Sequence, residues 1–262
     1  MKIFTVSIKP LITVFTVICI VLCAAIILAG TNILGLGGRG VNADTQNRIL
    51  PIYRVRLDEG DKRIAITFDN AWGAGDIPDI LKTLKEYNAK ATFFVLGTWA
   101  EKYPEVVTSI YDAGHEIANH SYAHYRPRSL TRQGMTDEIT KCNAAIKNVT
   151  GQDCNIYRAP YGEYNNFVVK TAQDLGMYVI QWDVDSLDWK DEMSADAIYQ
   201  RITGRVRQGS ILLFHNDTNH TKDVLPRILE KLSSEGYISV TVSELIYKDN
   251  YSIDSEGQQN KK

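Results

Sequence analysis

The chain has 262 residues, of which 29 are Lys or Arg and 31 are Asp or Glu, for a formal net charge of −2. This length suits one medium domain with an appendage, and 44% hydrophobic with 23% charged residues is ordinary for a chain that folds. It has no basic run, which argues against a nucleic-acid partner; the scattered Lys and Arg read as solvated surface.

Residues 1–10 carry Lys2 and Lys9 and no acid, and residues 11–30 contain no charged residue. A helix needs about 20 apolar residues to cross the hydrocarbon core, whereas the apolar stretch of a signal peptide usually runs roughly 7–15. The stretch at 11–30 therefore reads as a transmembrane anchor, with a cleaved signal segment as the alternative; Val41, Asn42 and Ala43 offer small residues for cleavage. The lysines ahead of it place residues 1–10 in the cytoplasm and the rest of the chain outside. The expected location is the cell membrane, single-pass with the catalytic part extracytoplasmic, or secreted if the segment is removed. Residues 31–61 read as a linker, rich in Gly near its start.

Residues 62–248 form the predicted domain. Apolar runs at 64–68, 91–96, 115–118, 156–158, 177–182, 210–215 and 237–240 read as strands. Helix signals lie between them, such as Asp76 and Pro78 ahead of Ile80, Leu81 and Leu84, or residues 131–147 with acids early and Lys late. Repeated βα units with nearly continuous apolar strands predict an α/β fold with a parallel sheet. Seven strands suit a distorted (β/α)7 barrel better than an open sheet. Cys142 and Cys154 allow a disulfide or two buried thiols, and spacing decides neither. Residues 249–262 read as a polar tail that frays.

In β/α barrels the reactive groups gather where the strands end, and polar residues follow five of these runs. The first ends Thr67-Phe68-Asp69-Asn70. The third leads into Asn119, His120, Ser121, Tyr122, Ala123 and His124. The fourth ends Arg158-Ala159-Pro160-Tyr161. The fifth runs into Asp185-Ser186-Leu187-Asp188-Trp189, and the sixth closes Leu213-Phe214-His215. His120 and His124 stand four apart; on a helix both rings would share a face and grip one cation. Singly, each residue has a plainer reading: two surface histidines, a capping Asp69 or Asp188, a turn Arg158, a core His215. Their ordered combination points to one site, and the chemistry it suits is amide hydrolysis. Water is a poor nucleophile and an amide anion a poor leaving group. A bound cation lowers the pKa of water and polarises a carbonyl. A carboxylate then takes one proton, and a protonated His held by an Asp returns one to nitrogen.

These five motifs, in this order, resemble those of the polysaccharide deacetylases, carbohydrate esterase family 4, whose domain is also called the NodB-homology domain. The resemblance covers about residues 62–247 and implies the same distorted (β/α)7 barrel. It also implies roles. Asp69 would be the general base toward the attacking water, with Arg158 keeping it ionised and oriented. His120, His124 and Asn70 would hold a divalent metal. The backbone N–H of Tyr161 would help hold the oxyanion, and Asp188 would pair with His215, the general acid toward the departing amine. Trp189 and Leu213 would shape the pocket around the acetyl methyl group. Trp72 is a candidate to stack on a sugar ring, Trp99 a weaker one, and His115 and His220 read as structural.

The family's common first motif has two adjacent Asp residues, and here the second is Asn70. The site loses one negative charge, so metal affinity is expected to fall. Zinc is the expected ion because the remaining side-chain ligands are imidazoles, with cobalt or another divalent ion as alternatives. The expected function is removal of N-acetyl groups from an amino-sugar polymer, most simply peptidoglycan at its N-acetylglucosamine or N-acetylmuramic acid residues, by a monomer. The alternatives are a non-catalytic wall-glycan-binding protein on the same fold, for which Asn70 is the support, and a deacetylase of chitin oligosaccharides or O-acetylated polysaccharide. A glycosidase with paired carboxylates leaves the two histidines and Arg158 without a role.

Overall fold

The computed structural model describes residues 48–262. The predicted cytoplasmic segment, the anchor or signal at 11–30 and the linker up to residue 47 lie outside the described residues. Among the described residues no helix is long and apolar enough to cross a membrane. The folded unit runs from Ile49 to Lys262.

Strand β2 (Arg63–Asn70) shows why the apolar runs form a sheet. Ile64, Ile66 and Phe68 join the core under the helices, while Ala65 belongs to the cluster on the opposite face. By strand alternation Thr67 and Asp69 share the face of Ala65. Both faces are covered, so the strand reads as almost unbroken apolar sequence. Phe68 stacks on Phe93 with ring centroids 4.9 Å apart. Around β2 lie β3 (Ala91–Val95), β4 (Glu116–Asn119), β5 (Ile156–Tyr157) and β6 (Tyr178–Val179) on one side, and β8 (Ile211–His215) and β7 (Val184–Asp185) on the other. β9 (Ile238–Val240) pairs with the start of β2, and every one of these pairings is parallel.

The helices cover the outer face. α1 (Ile77–Glu86) has Pro78 in its first turn and buries Ile77, Ile80 and Leu84. α2 (Gly97–Lys102) and α3 (Pro104–Asp112) follow β3. α4 (Arg132–Thr150) starts at Thr131, whose side chain accepts from the Gly134 N–H, and stops at Gly151, with φ 73°. α5 (Asn166–Asp174), α6 (Ala195–Thr203), α7 (Thr221–Ser234) and α8 (Val242–Leu245) complete the layer.

The structure corrects the sequence reading in four places. The barrel is a half-barrel: its edge strands are β6 and β7, which do not pair with each other. The fifth predicted strand, 177–182, is shorter than expected: it is β6, Tyr178–Val179, after which the chain leaves and re-enters the sheet beyond residue 182 as β7 on its far edge. The predicted linker is folded from residue 49 onward. Ile52, Val55 and Leu57 are buried, and Ile52 bridges to Ile180 while Arg54 bridges to Ser210, so this segment spans the open side. The tail does not fray. β10 (Tyr251–Ile253) and β11 (Gln258–Lys261) form a hairpin that pairs in parallel with β1 (Arg54–Val55). Buried Gln259 accepts from the Tyr247 N–H at 2.9 Å and donates to the Tyr247 carbonyl at 2.7 Å. Its polar composition hid this, because ladder and side-chain bonds rather than apolar burial hold it. Cys142 and Cys154 are free thiols, the former fully buried.

Candidate active site

The parallel strands deliver their C-terminal ends to one rim. Of the site residues singled out from the sequence, all but Arg158 and Asn70 line a cavity there of about 580 Å³. Asp69, next to last in β2, lies in register with Phe94 of β3 and His215 of β8. Arg158 Nη1 donates to Asp69 Oδ1 and to Thr67 Oγ1, each at 2.8 Å, and Nη2 donates to the Gln181 carbonyl at 3.1 Å. The guanidinium is fully buried, with the Phe94 ring centroid 3.9 Å away. Such a charge is tolerable inside because a carboxylate and an aromatic face meet it. Burial opposes ionisation of Asp69, but the basic groups around it, the His120 ring, Arg158 and His215, together with the Arg158 hydrogen bond, hold its carboxyl below the ordinary value.

His120 Nδ1 lies 3.0 Å from the Arg158 carbonyl oxygen. That oxygen can only accept, so Nδ1 carries the hydrogen and Nε2 keeps its lone pair. Nε2 faces Asp69 Oδ2 at 3.5 Å. Burial pushes the His120 pKa down, and burial followed by the proximity of His120 takes His124 down to about 4. Their ring centroids are 5.1 Å apart. The two imidazoles meet as expected, but not on a helix: residues 120–124 form an irregular turn. Ser121 and His124 make that turn with φ 75° and 60°.

Neutral imidazoles beside a carboxylate suit a divalent cation. Among the described residues no three or more His, Cys, Asp or Glu are arranged to hold one. That leaves the Asn70 amide as the third candidate donor. Asn70 is fully buried and neither its oxygen nor its nitrogen has a hydrogen-bond partner; His124 Nδ1 is likewise orphaned. An unmet buried polar group costs about 1–3 kcal/mol, which a bound cation would relieve. The donor set therefore fits a metal.

Across the cavity, His215 Nδ1 donates to Asp188 Oδ1 at 2.8 Å. The His215 backbone N–H donates to Asp188 Oδ2 at 2.8 Å and Thr221 Oγ1 donates to the same oxygen at 2.5 Å. Burial lowers the His215 pKa, but the bond and charge of Asp188, with Asp69 and Asp185, outweigh it and raise the pKa above the ordinary imidazole value. The cavity thus joins a carboxyl drawn toward its ionised form and an imidazole drawn toward its protonated form.

Backbone strain concentrates here. Among the described residues seven non-glycine residues have positive φ, and five of them, Ser121, His124, Tyr161, Leu187 and Asp217, lie in the rim loops. Trp72, Trp189 and Tyr161 are 67%, 57% and 54% exposed around the opening. Trp99 is buried and donates to the Gly73 carbonyl at 2.9 Å, so it is a packing residue. His115 lies at the far end of β4 and accepts from the Ala91 N–H.

Sequence reasoning missed Thr221, Gln181 and Glu138. Gln181 Nε2 donates to the Gly162 carbonyl at 2.9 Å, bracing the loop of Tyr161. Glu138 supports the turn between the histidines. Its signal was a charge on the helix stripe of Met135, Ile139 and Cys142. Thr221 and Gln181 carried none, being ordinary polar residues until the fold brings them to Asp188 and Arg158.

The family model for polysaccharide deacetylase matches residues 56–180. A peptidoglycan-N-acetylglucosamine deacetylase of Listeria monocytogenes is 36% identical over 209 residues, which is 78% of this chain and 44% of the relative. This chain thus spans less than half of that protein. A peptidoglycan-N-acetylglucosamine deacetylase of Bacillus cereus is 34% identical over 186 residues, 70% of this chain and 67% of the relative. Among solved structures, a CE4 family pseudoenzyme from Bacillus anthracis superposes with a TM-score of 0.71 at 32% identity, covering 81% of this chain and 73% of that one. A mutant of that pseudoenzyme with restored enzymatic activity gives the same TM-score, 0.71, at 35% identity, over 76% of this chain and 71% of that one.

Proposed function

The chain belongs to the polysaccharide deacetylase family, and on that premise we propose that it is a metal-dependent hydrolase removing N-acetyl groups from peptidoglycan. The feature that carries this reading is a pair of oppositely biased groups lining one cavity: basic neighbours and the Arg158 bond draw the Asp69 pKa down, while the Asp188 bond draws the His215 pKa up. A binding protein has no use for either.

His120, His124 and the Asn70 amide would hold the ion, zinc first, with cobalt or another divalent ion as alternatives. When bound, the ion makes water acidic and polarises the acetyl carbonyl. Asp69 takes the proton of the attacking water, and Arg158 keeps that carboxylate ionised and aimed. The Tyr161 N–H, on a residue with φ 61°, faces the developing oxyanion. His215, polarised by Asp188, gives its proton to the departing nitrogen. Leu213 and Trp189 enclose the acetyl methyl group, while exposed Trp72 takes a sugar ring. The polymer is the wall glycan, attacked at N-acetylglucosamine or N-acetylmuramic acid residues. The domain works as a monomer outside the cytoplasmic membrane, held by residues 11–30 or released if they are cleaved. Relatives named as peptidoglycan deacetylases support the choice of polymer.

A second reading, a glycan-binding protein without turnover, is favoured by Asn70 and by the likeness to a pseudoenzyme. One experiment separates them. The purified protein is incubated with N-acetylated peptidoglycan, with and without chelator, and both acetate and glycan chain length are measured. Metal-dependent acetate release with unchanged chain length is expected. Retention of the protein on glycan with no acetate at any zinc concentration supports the second reading and sinks the first.

A further inference from the structure

The turn that carries His120 and His124 rests on α4, and we propose that Glu138 is the positioning residue that fixes those two imidazoles for the metal. The inference builds on the metal reading above. Glu138 is buried on a helix face otherwise made of Met135, Ile139 and Cys142. A single oxygen, Oε2, accepts from Ser121 Oγ at 2.6 Å, from the Ala123 N–H at 2.9 Å and from the Tyr122 N–H at 3.1 Å. The donors are three consecutive residues, the ones that separate the two imidazoles. All three donors are neutral, so the carboxylate serves geometry and not an ion pair.

The turn needs such a brace. Ser121 and His124 both occupy the left-handed region, which non-glycine residues rarely hold unless neighbouring contacts over-determine it. Asn119 ties the same turn to the same helix, accepting from the Ser121 N–H at 2.7 Å and donating to the Ile139 carbonyl at 2.9 Å. Glu138 touches neither imidazole nor any reacting atom. It acts through the backbone between them, and losing it frees three donors and lets the rings drift apart.

The test uses the full chain, stripped of metal and titrated with Co2+, read by the visible cobalt bands and by competition with a chromophoric chelator. Glu138→Ala is expected to weaken cobalt binding roughly 10–100-fold, the usual range for a group that orients metal ligands. Glu138→Gln keeps an acceptor oxygen and is expected to recover affinity to within about threefold. Ser121→Ala, which removes one donor, should fall between the two. Glu138→Ala that folds by circular dichroism and binds cobalt like the native protein overturns the proposal. If Glu138→Ala does not fold, native affinity in Ser121→Ala overturns it and weakened affinity there supports it. A native protein that takes up neither cobalt nor zinc refutes the metal reading itself, and this proposal falls with it.

Discussion

His115 and His215 stand at opposite ends of one parallel sheet, and the sheet treats them in opposite ways. His115 lies just before β4, 6% exposed, and its neighbours are the Ala91 N–H and the cation Lys90. Burial, then Lys90, pushes its pKa down to about 4. His215 closes β8, also shielded, yet its pKa rises because Asp188 bonds it directly and Asp69 and Asp185 add negative charge. Burial favours the neutral ring by default, and at His215 a directly bonded carboxylate reverses it. The contrast also separates the ends of the sheet. The rim of Asp69 and His215 is polar, strained and lines a cavity of about 580 Å³, whereas His115 lines a smaller one of about 160 Å³.

Altering the carboxylates at the rim should have the largest effect. Asp69→Asn removes the base and is expected to lower kcat about 1,000-fold or more while the protein stays folded, checked by acetate release and circular dichroism. Asp188→Asn should come next, with kcat about 100-fold lower. The reacting state needs His215 protonated, and without Asp188 its pKa falls. The alkaline limb of the rate profile should therefore move to lower pH, as a pH series in kcat shows. Trp72→Ala should raise KM about 2–10-fold with little change in kcat, as expected for loss of one stacking contact.

The smallest effect on turnover belongs to the other end of the sheet. His115→Gln should leave acetate release unchanged but flatten the acid dependence of stability. His115 binds its proton less readily when folded than when unfolded, so stability is present at neutral pH and is lost as pH falls from about 6.5 toward about 4. Between pH 7 and pH 5 this amounts to about 2 kcal/mol in the native protein, readable as a change in the urea midpoint that the variant should lack.

The same division explains what could be read in the sequence. Each of the seven predicted runs contains a strand, because a mostly apolar run is a local and strong signal, even where, as at Ile238 of β9, one residue stays exposed. The motifs sit at strand ends, where short polar stretches interrupt those runs, so Asp69, His120, His124, Arg158, Asp188 and His215 could be named before any geometry was known. The open side of the barrel was not legible, because closure depends on whether β6 meets β7, and nothing local encodes that. The tail hairpin escaped for a related reason: Gln259 and Gln258 hold it by hydrogen bonds, and polar side chains look alike whether paired or solvated. The rings of His120 and His124 come within 5.1 Å by another route than the spacing suggested: in place of a helix the chain uses two left-handed residues and Glu138.

A side-chain NMR titration of the metal-free protein tests this account most directly, following each imidazole from pH 4 to pH 9. The account predicts that His215 stays protonated above the ordinary histidine value of about 6.5 while His115, His120 and His124 lose their protons below it. His215 titrating together with His115, or His120 remaining charged at neutral pH, would contradict it.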